Sequence, residues 1–498
     1  MSNKVWSICL IALMFTVAIA APVSAGDEGT PAVGVQVQNL ATAGPDITVF
    51  AQSYSQAGTP PEALGSARSV PAGTAVTLYL PDYTNLSAGL SALVISASDL
   101  AGGIARTEWT STGAAIYSTA APDIQVLLPV VLSNFVNQTS QVTVQNTNTQ
   151  AAIDDVTLTL LPRGGGTPIV ISGQTILAGT SKTWQLDNTT VWGDLPDTAL
   201  DLGARGFMGS MIIESATPLV VQSFIDIDNV AAISAFSGIP ATSADVKGYC
   251  PLVRDNYYGN TAILIVNNND GPASVDITFR PDPKSPNIVQ VSQNIQIPAN
   301  SSNIAAQIPG GNTRDAGMPG GTQSTSNTLL TNNGWFGSAE LTSDLPIVAT
   351  VQDTLFGLNY AVEGQSSYNC VPPSGASTTH FAPLLRRFHL EPEQLVSGVQ
   401  VINLTGSDNT ASLALANWDG TDAPDMPDQV MGPNGATNFY LGDATGLPTV
   451  PQDKGGYGWF GSGVLTCTGD CIALVTDEHV AGFGTKTIDR ANYIALPQ

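Results

Sequence analysis

Three aspartates in this chain close phrases that are nearly copies of one another. Phe207-Met-Gly-Ser210 leads to Asp226, Trp335-Phe-Gly-Ser338 to Asp353, and Trp459-Phe-Gly-Ser462 to Asp477. The Gly-to-Asp separation is 17, 16 and 16 residues, and successive aspartates lie 127 and 124 residues apart. A carboxylate kept at one place could serve as general acid, nucleophile or metal ligand, but each role needs a partner at an equally fixed place. None recurs: Asp226 precedes Ile-Asp228, Asp353 precedes Thr-Leu, and Asp477 precedes Glu478-His479. A repeated carboxylate without a repeated partner reads as scaffold, capping a turn or accepting local amide hydrogen bonds.

Two other groups could bind a ligand. Asp419, Asp422, Asp425 and Asp428 recur every third residue in one Pro-rich stretch. Clustered oxygens on flexible backbone are what calcium selects, so calcium is the one candidate cofactor, although the spacing is not that of an EF-hand. Trp335 and Trp459 head their phrases and could stack on sugar rings; the competing role is to anchor a core at a strand entry. His380, His389 and His479 are the only histidines and fall in no metal-binding spacing, and no GxSxG or phosphate-loop pattern occurs. No enzyme is expected. A hydrolase would need carboxylates or a histidine converging from separate parts of the chain.

The elements that must carry these residues are strands. Val142-Thr-Val144, Val156-Thr-Leu-Thr-Leu160 and Val275-Asp-Ile-Thr-Phe279 alternate apolar and polar, and no stretch beyond the N-terminal segment keeps a 3.6-residue apolar period. Only 11% of residues are charged, with 49 Gly and 33 Pro, a composition suited to a hydroxyl- and amide-coated β protein. The formal net charge of −24 argues against nucleic acid as a partner. Lys4, the apolar run Val5–Ala21 and Val23-Ser24-Ala25 have the form of a signal peptide spanning residues 1–25, which leaves no membrane span in the mature chain. Export makes disulfides the default for Cys250, Cys370, Cys467 and Cys471. The pairing Cys467–Cys471 would clip a hairpin, and Cys250–Cys370 would staple the first and last strands of one unit.

Comparing the chain with itself gives further repeats. Strands ending in Asn recur at Asn39, Asn146, Asn268 and Asn403; opening strands carry Pro129, Pro251 and Pro383; units close on YSTAAP, FSGIP, YNCVPP and YIALP. The fold expected is all-β, four tandem immunoglobulin-like antiparallel β-sandwich modules after the signal peptide: a divergent module over 26–121, then 122–243, 244–376 and 377–498. They average about 118 residues, the size of a sandwich domain. The first lacks the Pro-containing opening strand, and near its closing-Asp position stands Arg106. Five sequons, at Asn85, Asn137, Asn188, Asn300 and Asn403, permit glycosylation. The pattern PLV…VxVxN…WFGS…PIVA…D resembles tandem modules of uncharacterised exported proteins of filamentous, chloroflexus-type bacteria. That resemblance implies an extracellular or cell-surface β protein and carries over no catalytic residue. The function expected is structural or adhesive: modules as rigid spacers and multivalent surfaces for other cell-surface proteins, glycans or further copies of the chain. A carbohydrate-binding module array is the alternative.

Overall fold

The computed structural model describes residues 13–19, 32–55, 61–83, 91–109, 113–118, 121–135, 137–198, 206–227, 233–257, 259–307, 334–356, 362–389, 394–452, 456–479 and 490–498. The long polar connection over 309–333 and the sequon Asn85 lie outside them. The described chain is almost entirely strand, in antiparallel sheets. Its one α-helix among those residues is a single turn, Thr189–Trp192, capped by Asn188 Oδ1, which accepts from Thr190 N at 3.1 Å.

The phrase running from aromatic-Gly-Ser to Asp is not a hairpin. Phe207–Ile227, Trp335–Phe356 and Trp459–His479 are single long strands. The first half of each pairs with an opening strand (Asp123–Ser133, Asp245–Asp255, Ser377–Arg387) and a third strand (Ile153–Pro162, Ala273–Pro281, Asn409–Asn417). The second half pairs with an Asn-ending strand (Gln138–Asn146, Asn260–Asn267, Leu395–Asn403) and a closing strand (Ile233–Ser237, Val362–Asn369, Arg490–Ile494). At Leu345-Pro346 or Gly469-Asp470 the chain therefore bends and passes between sheets instead of reversing. The Cys467–Cys471 disulfide spans that point: Cys467 faces Ala411 on one side of it and Cys471 faces Asn403 on the other. Cys250–Cys370 joins an opening strand to the residue after a closing strand, as expected.

Recurring residues have recurring backbone reasons. Proline cannot donate to a ladder. At Pro129, Pro251 and Pro383 the opening strand duly carries a bulge, between Leu128 and Val131, Cys250 and Val253, and Ala382 and Leu385. The glycine of each Gly-Ser pair is a point of close approach. A Cβ on Gly209, Gly337 or Gly461 would lie 2.3, 2.0 or 2.0 Å from the carbonyl oxygen of Leu161, Arg280 or Ala416. In the first segment the long strand is split into Ser91–Ala97 and Ala101–Trp109. The place of its missing opening strand is filled by Leu13–Ile19, from within the expected signal peptide, in register from Leu13↔Ala97 to Ile19↔Ser91.

The closing strands bring distant parts of the chain together. Gly113–Ser118 packs against Ile233–Ser237, which packs against Val362–Asn369, then Arg490–Ile494, which returns to Gly113–Ser118. Polar side chains repeat along this circuit. Ser234 Oγ and Ser367 Oγ are 3.2 Å apart, Asn492 Nδ2 donates to Ser366 Oγ at 2.8 Å, and Asn369 Nδ2 donates to Ser237 O at 2.6 Å. Apolar cores are shared across the junctions. Phe224, Ile233 and Ala235 join the first segment's core, and Leu264 and Ile304 join the second's. Leu474 joins the third's, while Ile104 and Ile116 join the fourth's.

Candidate functional site

The repeated aspartate is an ion-pair partner. Asp477 is 1% exposed, and its Oδ2 accepts from Arg106 Nη1 at 2.6 Å and Arg386 Nη1 at 3.0 Å. Its Oδ1 accepts from Ser397 Oγ at 3.2 Å. Asp353 lies 3.7 Å from Arg254 Nε, and Arg254 Nη2 reaches Glu478 of the following segment at 3.2 Å. Arg254 and Arg386 occupy the same place, since the backbone N of each donates to the hydroxyl of Thr261 or Ser397. In the second segment Leu132 N makes that bond to Ser140 Oγ, and Ser140 faces Ile225 across the ladder. There the Arg–Asp pair is replaced by Leu132 and Ile225, and Asp226, one residue further on, is exposed. The separation of 17 instead of 16 residues was the trace of this shift. The expected turn-capping role does not hold for Asp353 and Asp477; a partner does recur, an arginine on the opening strand.

The Arg106–Asp477–Arg386 cluster lies beside a cleft between the first and fourth segments, with a cavity of about 650 Å³. Volumes of that order suit a small-molecule site. One wall is built by the paired strands Ala32–Asn39 and Ala75–Tyr79, which place Gln36 opposite Thr77, and by Arg68 on the neighbouring strand Arg68–Val70. Arg68 Nη1 donates to Thr77 O at 2.9 Å and Nη2 to Tyr83 Oη at 2.7 Å. The other wall carries Trp418, Phe460 and His389, whose ring stands 4.7 Å from that of Phe460. Asp82 and Asp419 lie at the exposed rim. Two bonds from Thr421 to Asp419 Oδ1 hold that carboxyl below the usual carboxylate range.

The residues expected to bind ligands lie elsewhere or point inward. Trp335 and Trp459 are 0% and 1% exposed. Their Nε1 atoms donate to Val289 O at 2.9 Å and Asn417 Oδ1 at 2.8 Å, so neither offers a ring face to a glycan. Alternation along the strand sends Phe460, not Trp459, toward the cleft. Asp419, Asp422, Asp425 and Asp428 do not converge. Asp419 is spent on Thr421, Asp425 Oδ1 accepts from Leu415 N at 3.2 Å, and no cluster of three or more ligating side chains exists among the described residues.

The strand-ending asparagines are buried side-chain braces. The third of them is Asn267, not Asn268. Its Nδ2 donates to Gly271 O, Ile297 O and Pro298 O, as Asn146 Nδ2 does to Ala151 O, Ile176 O and Leu177 O. Asn403 is 1% exposed and bonded in the same way to Ser407 O and Gly432 O, which removes it as a glycosylation site. Sequence reasoning missed Arg254 and Arg386, although PLVRD and PLLRR place them alike, and it missed Trp418, Arg68 and Gln36, the last of which is matched by Gln400 in the fourth segment.

The chain matches no family profile and no curated protein. Among solved structures it is similar over short or poorly superposing stretches. Thermotoga maritima 1070 is 14% identical, with 26% of this chain and 95% of that one covered and a TM-score of 0.18. CfaE, the adhesive subunit of CFA/I fimbria of enterotoxigenic Escherichia coli, is 10% identical over 50% and 94%, with a TM-score of 0.09. The serine-rich repeat protein Srr2 of Streptococcus agalactiae is 8% identical over 79% and 85%, with a TM-score of 0.11. None of these likenesses carries an argument about fold or function, and none concerns a chloroflexus-type repeat family.

Proposed function

We propose that this is an exported, non-catalytic cell-surface protein with a structural or adhesive role, built from four immunoglobulin-like modules closed into a ring. The observation that supports this reading is the circuit of closing strands, with a shared core at every junction. Such a block differs from a string of spacers: it presents its contact surfaces at fixed mutual positions, which favours simultaneous weak contacts with a surface partner. Disulfides at both cysteine pairs are compatible with an oxidising compartment. The test is protease shaving of intact source cells together with an adhesion assay on a strain lacking the protein. Release of fragments of this chain and a loss of adhesion or of envelope integrity are expected. Retention inside the cell, or an unchanged envelope and adhesion, would refute the role.

The carbohydrate-binding alternative is favoured by a different feature, the cleft with Trp418 and Phe460 on one wall and hydrogen-bonding groups on the other. It moves the glycan contact from Trp335 and Trp459 to the junction of the first and fourth modules.

A further inference from the structure

We propose that the cleft between the first and fourth segments binds saccharides that carry a carboxylate; this rests on, and narrows, the carbohydrate-binding reading. Three observations converge on one wall and its opposite. Arg68 has no carboxylate within ion-pairing distance among the described residues, in a chain with 16 basic and 40 acidic residues. Its two hydrogen bonds fix the guanidinium and leave three of its five N–H donors for a ligand, in a planar fork that matches a carboxylate. Beside it Gln36 is 6% exposed; Nε2 donates to Thr77 Oγ1 at 3.3 Å, and Oε1 has no partner. A buried amide oxygen without a donor is costly, and a ligand hydroxyl in the cleft would satisfy it. From the fourth segment Trp418, half-buried, and Phe460 line the same cleft. An aromatic face takes the apolar face of a sugar ring while its hydroxyls reach the polar wall.

The remaining charges refine the ligand class. Asp477 offsets one of the two charges of Arg106 and Arg386 at the floor, and the acidic rim of Asp82 and Asp419 keeps the cleft from being a general anion trap. Asp82 and Asp419 at the rim repel a bare anion but accept hydroxyl hydrogen bonds. A polyhydroxylated acid fits this division, one carboxylate at Arg68 and hydroxyls at Gln36 and the rim; inorganic phosphate or acetate does not.

The experiment titrates the full-length mature protein with digalacturonate, its dimethyl ester, maltose and acetate, reading tryptophan fluorescence and heat. Alongside it, a glycan array covers uronic- and sialic-acid oligosaccharides. An acidic saccharide is expected to bind, its ester at least tenfold more weakly, and acetate not at all. Arg68→Gln should weaken the acid at least tenfold while leaving the ester unchanged. Trp418→Ala should weaken both, and Trp418→Tyr should restore part of the loss. Equal binding of acid and ester, or of maltose, overturns the carboxylate assignment while leaving the carbohydrate reading standing. Binding of no saccharide overturns both. Acid binding unaffected by Arg68→Gln and Trp418→Ala, with melting temperatures unchanged, places the ligand elsewhere and overturns the site.

Discussion

The second segment holds a natural experiment on the buried ion pair. Leu132 and Ile225 occupy the places that Arg254 and Asp353 fill in the third. Asp353 is fully buried and Arg254 is 6% exposed, so removing Arg254 strands a desolvated carboxylate, while removing Asp353 leaves the arginine with Glu478 alone. Breaking such a pair costs about 3–5 kcal/mol, whereas exchanging both members for apolar side chains is often neutral or stabilising. Arg254→Leu alone should thus lower stability by about 3–5 kcal/mol, and Asp353→Ile alone by less, because Glu478 still pairs the guanidinium. Arg254→Leu with Asp353→Ile, which copies the second segment, should fall within about 1 kcal/mol of the parent. Glu478 also loses Arg254 in the double variant, but it is 28% exposed and can be rehydrated. The assay is urea unfolding followed by fluorescence, with the double-mutant cycle giving the coupling directly. If the double variant loses as much as the two single variants together, the site does not tolerate apolar replacement, and the equivalence drawn with Leu132 and Ile225 is refuted.

Three further outcomes follow from named contacts. The proline bulge leaves Leu252 and Leu384 outside the ladder; Tyr368 Oη and Tyr493 Oη each accept from the leucine N and donate to its carbonyl. Tyr368→Phe and Tyr493→Phe should each cost about 1–3 kcal/mol in denaturant unfolding, the price of an unsatisfied buried group. Cys250–Cys370 closes a separation of 120 residues and Cys467–Cys471 one of 4. On chain entropy, replacing the first pair by serine should cost about 5 kcal/mol and the second about 2, compared by melting under non-reducing conditions. Burial holds the His380 pKa below its usual value, against the opposing bonds to Cys471, Ala495 and Ser377. The unfolded chain therefore takes up that proton first. The contribution of His380 is complete above about pH 6.5 and declines as the pH falls toward the folded pKa. His380→Gln should flatten the stability profile between about pH 7 and 5, and an unchanged slope would count against it.

The all-β character, the repeats and both cysteine pairings were legible because they rest on local alternation and on spacing. The sheet switch was not. An apolar run, a Leu-Pro or Gly-Asp bend and a second apolar run have the same pattern whether the chain reverses or passes through to a facing sheet. Strand periodicity states which residues alternate, not which face the first one takes, and so it left Trp335 and Trp459 open between core anchor and glycan contact. One-residue offsets misplaced Asn267 and hid Ile225, since a repeat aligned by residue type follows the Asn or Asp it sees instead of the ladder position. The junctions left no pattern at all. Ile104, Ile116 and Leu474 read as ordinary core residues of their own segments, and only the fold shows that they serve a neighbour's.

The junction between the first and fourth segments differs from the other three in how it must be specified. Segments adjacent in sequence are held at high effective concentration by the connecting chain, so the two-three junction can rely on glutamines, serines and apolar contact. The first and fourth segments have no such direct tether, and the second segment offers a similar surface as a wrong partner. A fully buried ion pair crosses this junction: Arg106 enters from the first segment to share Asp477 with Arg386, where the three–four junction carries the more exposed Arg254–Glu478 pair. Gln38 Nε2 adds a bond to Gly463 O at 3.2 Å. Docked instead on the second segment, Arg106 would meet Ile225 where Asp477 stands and be left buried without a counter-charge. A buried pair adds little net stability over an apolar one, but it penalises the wrong partner by the full cost of an unpaired charge. On this argument Arg106→Leu should change the stability of the closed ring less than it changes the fraction of chains that close correctly. Refolding yield, scored by size-exclusion chromatography, is the quantity to measure. An unchanged yield with a large loss of stability would reverse the assignment of the pair from selecting the partner to holding it.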